Sequence, residues 1–269
     1  MLTYGALLEQ AETRGMPITK LRGILREYLQ ILILKELSKA EAGGKLYFTG
    51  GTYLRLAHNL KRFSEDLDFN ASGIAVKEFE GLAEKLRKEL KRQGINCHCR
   101  FKHWGNIYAA DLAFPDIEKA YNITSKFSGQ GGIIIKIETN RPKWKIKKEP
   151  QVISGFGELY PCLCTDVATL FADKIDALNK KERARHLYDI IFLLANSYPL
   201  DKKALFALGI KSDPLEIIAQ LVMGFSNADL KKQAESLRPF LFEEADAALI
   251  SNARQIIPSL LKKYRRQNA

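Results

Sequence analysis

The sequence contains few cysteines, the residues typical of disulfide-rich secreted domains and of structural zinc sites. Only four cysteines occur in 269 residues, arranged as two Cys-x-Cys pairs, Cys97/Cys99 and Cys162/Cys164. This number and spacing exclude a disulfide-dense secreted domain. Cys-x-Cys is also not the usual spacing of a zinc knuckle. We therefore interpret the cysteines as free thiols, with a zinc site as the minor alternative.

Long apolar runs and several familiar nucleotide or nucleophile motifs are also missing. The longest apolar stretch near the N-terminus, Ile31–Leu34, is far too short to span a bilayer. Met1–Glu12 lacks the basic and apolar regions of a signal peptide. We therefore expect a cytoplasmic protein with no membrane partner. No Walker-type Gly-x-x-x-x-Gly-Lys and no nucleophile elbow occur, which argues against a P-loop NTPase and an α/β-hydrolase.

The composition is that of a folded, basic protein. Hydrophobic residues make up 46% of the chain, enough for a sizeable core. Lys and Arg number 42 against 31 Asp and Glu, giving a formal net charge of +11. An excess of positive charge favours polyanionic partners such as nucleic acid.

The periodicity of apolar residues predicts an α+β protein with a mixed sheet in its front half and helices behind it. We place N-terminal helices that pack on the core in residues 1–44, an α/β core in 45–160 and a helical C-terminal domain in 161–269. Predicted helices cover Pro17–Lys39, Thr52–Leu60 and Val76–Gln93, and helices follow from Thr165 onward. Predicted strands are Lys45–Thr49, Phe63–Phe69, Ile133–Thr139 and a hairpin Ile95–Trp104/Asn106–Phe114, with a break at Gly129–Gly132 and a basic loop at Arg141–Pro150.

The stretch Arg62–Phe69 carries the strongest chemical signal. If it is a strand, side chains alternate, so Arg62, Ser64, Asp66 and Asp68 project from one face. Two aspartates side by side repel unless a cation lies between them. Mg²⁺ prefers such oxygen ligands and bridges them to nucleotide phosphates. A solvated strand edge with incidental acids is the alternative.

A glycine pair precedes this stretch by one short helix. Gly50-Gly51-Thr52 lies between a predicted strand and a predicted helix. Such a turn lets the backbone approach a phosphate closely, with helix-terminal N–H groups as donors. The combination with Asp-x-Asp is more specific than either motif alone.

Together, Phe48–Leu54 and Arg62–Phe69 resemble the AbiEii/AbiGii-type toxin nucleotidyltransferases of the DNA polymerase β-like superfamily. The resemblance implies a polymerase-β-like core in which Gly50, Gly51 and Thr52 bind the phosphates of an NTP. It implies that Asp66 and Asp68 hold Mg²⁺, with Mn²⁺ as the alternative metal. Arg62 and Ser64 belong to the same nucleotide-binding signature.

Sites of this superfamily use a third carboxylate on a neighbouring strand, as a metal ligand or as the base for the attacking hydroxyl. Two residues are candidates, Glu138 and Asp111. The resemblance favours Glu138, because family members carry a similar Lys-x-acid strand, here Lys136-Ile-Glu138. For either residue, a charge facing water on an edge strand is the alternative.

Two charged residues of the helical half fall among apolar positions. Lys174 lies on the apolar face of its helix, and Asp189 lies among Leu187, Tyr188 and Ile190. A buried Lys–Asp pair joining two helices is one explanation. The other follows from the resemblance, since this segment is similar to the family's second signature. By that resemblance Lys174 contacts nucleotide phosphate and Asp189 completes the active site.

One position departs from that signature. Family members often read Arg-Asp-x-Tyr-Asp, whereas this chain has His186 in place of the first Asp. Any role of position 186 is therefore in doubt.

These observations predict a metal-dependent nucleotidyltransferase, with an active site between the core and the helical half. It would transfer NMP from an NTP to an acceptor, with tRNA or another RNA as the expected acceptor. Arg141–Lys148, with Trp144 among its lysines, is the expected RNA contact. The family context implies the toxin of a type IV toxin–antitoxin, or abortive infection, system with an antitoxin partner. Alternatives are a protein or small-molecule acceptor, a nucleotide-binding regulator without turnover, and a basic helical RNA-binding protein with incidental acids.

Overall fold

The computed structural model describes residues 1–123, 132–142, 144–181 and 183–268. These residues form two compact units. The first contains Met1–Asn59, Phe63–Pro142 and Lys148–Thr165, and the second contains Leu60–Arg62, Lys143–Lys147 and Asp166–Ala269.

The first unit is a sheet with helices from the first half of the chain. Its helices are α1 (Tyr4–Thr13), α2 (Leu21–Lys39), α3 (Gly50–His58), α4 (Val76–Arg92) and α5 (Ile117–Ala120). Its strands are β1 (Leu46–Thr49), β2 (Leu67–Ala71), β3 (His98–Trp104), β4 (Ile107–Phe114), β5 (Ile133–Asn140), β6 (Lys148–Gly155) and β7 (Glu158–Thr165).

The seven strands form one mixed sheet in the order β3-β4-β5-β2-β1-β7-β6. Strand β2 is parallel to β5 and antiparallel to β1, and β1 is parallel to β7. The hairpins β3–β4 and β6–β7 form the two edges. This is the mixed sheet that the sequence predicts, and it brings the end of β1 beside the start of β2.

Burial alternates along β5 and defines two faces of the sheet. Ile133, Ile135 and Ile137 are buried, whereas Ile134 is 46% exposed. Helix α4 packs on the buried face, where Phe79 contacts the ring of Tyr108 at 6.1 Å between centroids. The opposite face of β5 and β4 is more open to solvent.

The second unit is helical, as the sequence predicts. Its helices are α6 (Val167–Lys181), α7 (Ala184–Ala195), α8 (Lys202–Ala207), α9 (Pro214–Gly224), α10 (Asn227–Leu237), α11 (Ala247–Ser251) and α12 (Ala253–Gln267). Several begin where the sequence offers a cap: Asp213 caps α9 ahead of Pro214, and Ser226 and Asp229 form a capping box on α10. No helix of the described residues is long and apolar enough to cross a membrane.

Several predicted boundaries are wrong. The first long helix begins at Leu21 rather than Pro17, because Pro17 accepts a turn hydrogen bond from Lys20 ahead of the helix. The predicted basic loop Arg141–Pro150 ends in strand β6, whose hairpin with β7 turns at Phe156 and Gly157 in left-handed conformations. The predicted break at Gly129–Gly132 lies outside the described residues except for Gly132.

The predicted strand Phe63–Phe69 is also wrong in its first half, since β2 begins at Leu67. Arg62 instead forms an isolated bridge with Leu241 in the second unit. The expectation that Arg62, Ser64, Asp66 and Asp68 share one strand face therefore fails. The approach to β2 is shaped by side-chain hydrogen bonds rather than by a sheet ladder.

Candidate active site

The glycine turn and the first carboxylate strand meet directly. Thr49 at the end of β1 lies opposite Asp68 of β2, and α3 starts at the next residue, Gly50. Gly50 has φ +82°, and a Cβ at this position would overlap the Asp68 carboxylate. Both the dihedral angle and the space require glycine. The first turn of α3 therefore abuts the Asp68 carboxylate.

This helix end has unused hydrogen-bonding capacity. Thr49, the cap residue of α3, makes no side-chain hydrogen bond to the helix. Its hydroxyl is buried and has no partner among the described residues. The first N–H groups of a helix have no partner within the helix and carry its positive dipole end. The Gly50-Gly51-Thr52 turn can thus bind a phosphate oxygen through its backbone.

Side chains around the loop before β2 fix the position of Asp66. The buried hydroxyl of Thr52 donates to the Asp66 carbonyl oxygen at 2.5 Å. Gln30 of α2 donates to the carbonyl oxygens of Ser64 and Glu65, each at 3.0 Å. Thr52 therefore positions the carboxylate loop with its side chain, and any phosphate contact falls to its backbone.

The register of the sheet places Glu138 beside the aspartates. Glu138 of β5 lies directly opposite Asp68 of the parallel strand β2. The other candidate, Asp111, lies one strand further out, opposite Lys136, and its carboxylate pairs with Lys102 at 2.5 Å. Of the two candidate third acids, the structure therefore brings only Glu138 next to Asp68.

Lys136 lies between the carboxylates. Its ammonium is 2.8 Å from Glu138 Oε2 and 3.9 Å from Asp66 Oδ2. Burial disfavours the charged ammonium, but the hydrogen bond to Glu138 and the charges of Asp66 and Asp68 outweigh this effect and raise the pKa of Lys136. A cation thus neutralises this group of acids.

The donor set fits a divalent metal through two residues. Within the described part of the chain, no three His, Cys, Asp or Glu side chains converge to hold an ion, because Glu138 turns toward Lys136. Asp66 and Asp68 are half-exposed carboxylates next to the phosphate-binding turn. Mg²⁺ is usually bound by one or two carboxylates together with phosphates and water. Asp66 and Asp68 satisfy that requirement, and Glu138 as third ligand stays a prediction.

Sequence reasoning missed Arg26 of α2. Its guanidinium is 2.9 Å from Glu65 Oε1 and lies close enough to Asp66 to feel its charge. Burial lowers the pKa of Arg26, and Glu65 opposes this shift. Gln30 interrupts the buried apolar run from Tyr28 to Leu34, and Arg26 lies one helical turn before it, which is the signal that could have revealed both.

In the second unit, Arg62, Lys174 and Asp189 form a buried ionic cluster. Arg62 Nε and Nη2 donate to the two oxygens of Asp189, each at 2.8 Å. Lys174 Nζ of α6 is 2.7 Å from Asp189 Oδ2. Asp189 of α7 has no exposed surface, and Lys174 is 6% exposed. The structure thus contains the buried Lys–Asp pair that the sequence allows, and it adds Arg62.

Two cations keep Asp189 ionised. Burial alone would raise its pKa, but the charges of Arg62 and Lys174 and their hydrogen bonds hold the pKa at about 2. Because Asp189 is enclosed and bonded on both oxygens, it can act on a ligand only through Arg62 and Lys174. Asp189 stays a predicted active-site residue, and its enclosure favours the positioning of Arg62 and Lys174 over direct contact with a substrate.

His186 adds no charge to this cluster. Burial, followed by the charge of Lys174, lowers the pKa of His186 to about 3, so the ring is neutral at pH 7. Both ring nitrogens are buried without a hydrogen-bond partner in the described residues. With Arg62 and Lys174 positive and Asp189 negative, the cluster keeps one net positive charge. An aspartate at position 186 would cancel it.

Trp144 and Arg141 of the predicted RNA contact are partly enclosed. Trp144 is half-buried with its indole N–H enclosed, and Lys143 lies outside the described residues. The Arg141 guanidinium lies over the Tyr108 ring at 5.0 Å. All four cysteines are free, and burial raises the pKa of the Cys97 thiol to about 11.

Comparison with known proteins identifies the family. The model of the family described as "Nucleotidyl transferase AbiEii toxin, Type IV TA system" matches residues 32–261. No curated protein sequence matches significantly.

Two solved structures have the same fold. The nucleotidyltransferase toxin MenT4 from Mycobacterium tuberculosis aligns with a TM-score of 0.63 at 19% identity, covering 99% of this chain and 93% of that one. JHP933 from Helicobacter pylori aligns with a TM-score of 0.52 at 19% identity, covering 91% and 94%. These alignments confirm the predicted polymerase-β-like α+β fold. The chain belongs to the AbiEii nucleotidyl transferase toxin family of type IV toxin–antitoxin systems.

Proposed function

We propose that this nucleotidyltransferase uses a divalent metal, Mg²⁺ or Mn²⁺, to transfer NMP from an NTP to an RNA acceptor. The observation that carries this proposal is the contact of the Gly50 turn with Asp68, with Glu138 directly opposite on β5. This contact supports the proposal, because helix-terminal N–H groups that are able to bind a phosphate lie beside carboxylates that are able to bind a metal. A pure nucleotide-binding regulator does not need that combination.

In this proposal the α3 N-terminus binds the triphosphate, and Asp66 and Asp68 hold the metal. A bound divalent ion supplies positive charge that offsets the charge of the phosphates. An acceptor hydroxyl attacks the α-phosphorus, the new P–O bond forms, and the bond to the β-phosphate breaks to release pyrophosphate. Glu138 accepts the proton of the attacking hydroxyl; where Glu138 instead ligates the metal, the leaving pyrophosphate takes that proton.

The buried cluster in the second unit offers two further cations for phosphate binding. We assign phosphate binding to Lys174, assisted by Arg62, because the cluster keeps one net positive charge. Asp189 orients both cations through its buried hydrogen bonds. Ser64 is assigned to nucleotide binding by the family signature, and Gln30 holds its backbone carbonyl oxygen.

RNA is the acceptor class that the charge favours. The net charge of +11 suits a polyanion. We expect tRNA because the family resemblance implies a toxin that acts on the translation machinery. A cognate antitoxin is the expected protein partner. A protein or small-molecule acceptor would use the same carboxylates but would not require the excess of basic residues.

The test uses purified protein, MgCl₂ or MnCl₂, each α-³²P-labelled NTP in turn, and total tRNA. The variant Asp66→Asn/Asp68→Asn should lose at least about 10³-fold in transfer rate, because metal-assisted charge stabilisation contributes several kcal/mol. The control Asp116→Asn removes one exposed carboxylate at the start of α5 and should retain full activity.

Each outcome assigns the acceptor or removes the proposal. Label that enters tRNA with wild type and control, but not with the double variant, supports it. Label in protein or in a small molecule would replace the acceptor. Equal labelling by wild type and double variant would disprove the assignment of Asp66 and Asp68.

A further inference from the structure

The sheet face that carries the carboxylates continues to the β3 edge. Directly opposed residues of neighbouring strands share a face. Asp68 lies opposite Glu138, Glu138 opposite Ala109, and Ala109 opposite Lys102. This row crosses four adjacent strands. At about 4.8 Å per strand it runs roughly 14 Å from Asp68 to the edge.

The edge strand places cations and an aromatic ring on this face. Along β3, alternation puts Arg100, Lys102 and Trp104 on the same side, and all three are exposed. Trp104 is 47% exposed. Within the described residues Arg100 has no ion-pair partner, whereas Lys102 pairs with Asp111. An exposed tryptophan beside cations is unusual for a solvated edge, where charged residues alone would suffice.

This combination matches single-stranded nucleic acid. Bases stack on exposed aromatic rings, and basic side chains follow the phosphates. The row of roughly 14 Å corresponds to about four stacked nucleotides at roughly 3.4 Å each. A strand end that lies along the row therefore brings its terminal hydroxyl to the carboxylates while an upstream base reaches Trp104.

We propose that the sheet face from Glu138 to β3, here called the β3 platform, binds the unpaired end of the RNA acceptor. Trp104 stacks on a base, and Arg100 and Lys102 contact phosphates. The inference rests on the proposed transfer to an acceptor, and it places RNA binding on β3 rather than on the Arg141–Lys148 loop. That loop is the poorer stacking site because the Trp144 indole N–H is enclosed.

Fluorescence anisotropy tests RNA binding without requiring turnover. The probe is a fluorescein-labelled single-stranded RNA of about ten nucleotides, titrated with the full chain in the absence of NTP. Trp104→Leu, which keeps an apolar side chain but removes the ring, should weaken binding about tenfold or more. Trp104→Phe should retain most of the affinity. The control Leu159→Ser alters a side chain that is 73% exposed on β7 and should bind RNA as wild type does.

The salt dependence tests the two cations. Arg100→Gln/Lys102→Gln should make the slope of log K against log salt concentration less negative by roughly 1.4, about 0.7 for each phosphate that the protein no longer neutralises. The control Lys231→Gln/Lys232→Gln removes two exposed charges from α10 and should leave the slope unchanged. Circular dichroism melting of every variant separates a binding defect from unfolding.

Intrinsic fluorescence gives an independent readout of stacking. The chain has two tryptophans, so Trp144→Phe leaves Trp104 as the sole one. RNA should quench its emission with the same midpoint as the anisotropy titration.

The outcomes separate this inference from the proposed function. Folded Trp104→Leu and Arg100→Gln/Lys102→Gln variants that bind RNA as wild type does would overturn the β3 platform, even if tRNA labelling stands. A wild-type chain that transfers NMP but binds no RNA would also overturn it. RNA binding that depends on Trp104 in a chain that labels no acceptor would support the platform and remove the transfer proposal.

Discussion

The charged residues of the sheet site and those of the helical unit differ in burial and in how firmly their charges are paired. At the sheet site, Asp66, Glu138 and Lys136 are half-exposed, and the Lys136 ammonium lies between the two carboxylates. In the helical unit, Arg62 and Asp189 are both buried, and Arg62 donates to both carboxylate oxygens of Asp189. The first group can exchange its counter-ion for a ligand at little cost, because water already reaches it. The second cannot lose a partner without leaving an uncompensated charge in a dry environment.

This difference assigns different work to acids that look alike in the sequence. The half-exposed carboxylates beside the central strands β2 and β5 are the ones predicted to bind a metal, whereas Asp189 is predicted to position Lys174. Substitutions in the two groups should therefore separate activity from stability. The three experiments that follow measure that separation.

The largest stability effect is expected at the buried cluster. Asp189→Asn leaves Arg62 and Lys174 without their anion and should lower the free energy of unfolding by about 3–5 kcal/mol. Urea unfolding measures it. The matched control is Asp176→Asn, which removes an acid of α6 paired with the exposed Lys180 and should cost less than about 1 kcal/mol. Equal losses of unfolding free energy in Asp189→Asn and Asp176→Asn would show that the buried cluster is no more important for stability than a surface ion pair.

The pH dependence of stability should carry the same signature. The pKa of Asp189 is about 2 in the folded chain, against an ordinary value of 3.8. A lowered folded-state pKa stabilises the protein fully above pH 3.8, and this contribution is lost as pH falls through 2. It amounts to about 2 kcal/mol at neutral pH. The stability difference between wild type and Asp189→Asn should therefore shrink by about 1 kcal/mol between pH 6 and pH 3. A constant difference would contradict this assignment.

The smallest effect is expected at Lys136 of the interior strand β5. Lys136→Gln removes the ammonium that competes with a metal for Asp66 and Glu138. Two charges about 4 Å apart interact by about 1 kcal/mol in water. The metal concentration for half-maximal transfer should accordingly fall about fivefold, with little change in melting temperature. A lower maximal rate with an unchanged metal requirement would instead give Lys136 a role on the triphosphate.

Local signals in the sequence predicted the centre of the sheet site. Gly50 is fixed by its own φ and by the space beside Asp68, so a Gly-Gly turn one short helix before Asp-x-Asp predicts their proximity. The hairpin that turns at Gly105 is confirmed for the same reason, since its alternation and its turn residue are adjacent in sequence. The predicted enzyme class is confirmed by the family match.

Long-range contacts account for what was missed. The segment before β2 looks like a strand by alternation, but Gln30 binds its carbonyls and Arg62 reaches Asp189, which is 127 positions away. Neither Gln30 nor Asp189 can be identified as a partner from the residues of the stretch Arg62–Phe69 alone. The hairpin β6–β7 was missed because Pro150 and Pro161 interrupt its strands. Pro150 lies on the edge strand β6, where proline is tolerated, and Pro161 lies on β7, which pairs with β1 at Cys164 instead.

The isolated bridge from Arg62 to Leu241 has a consequence for how the chain is divided. The helical unit takes Leu60–Arg62 from the first quarter of the polypeptide, so it is not contiguous in sequence. During synthesis, Arg62 emerges from the ribosome long before the helical half does. Contacts between Arg62 and that half close a long loop of chain, which is entropically slow. A C-terminal fragment that starts at Asp166 lacks Arg62, whose guanidinium binds Asp189. Proteolysis or gene truncation at that apparent boundary therefore yields an incomplete unit rather than a free-standing domain.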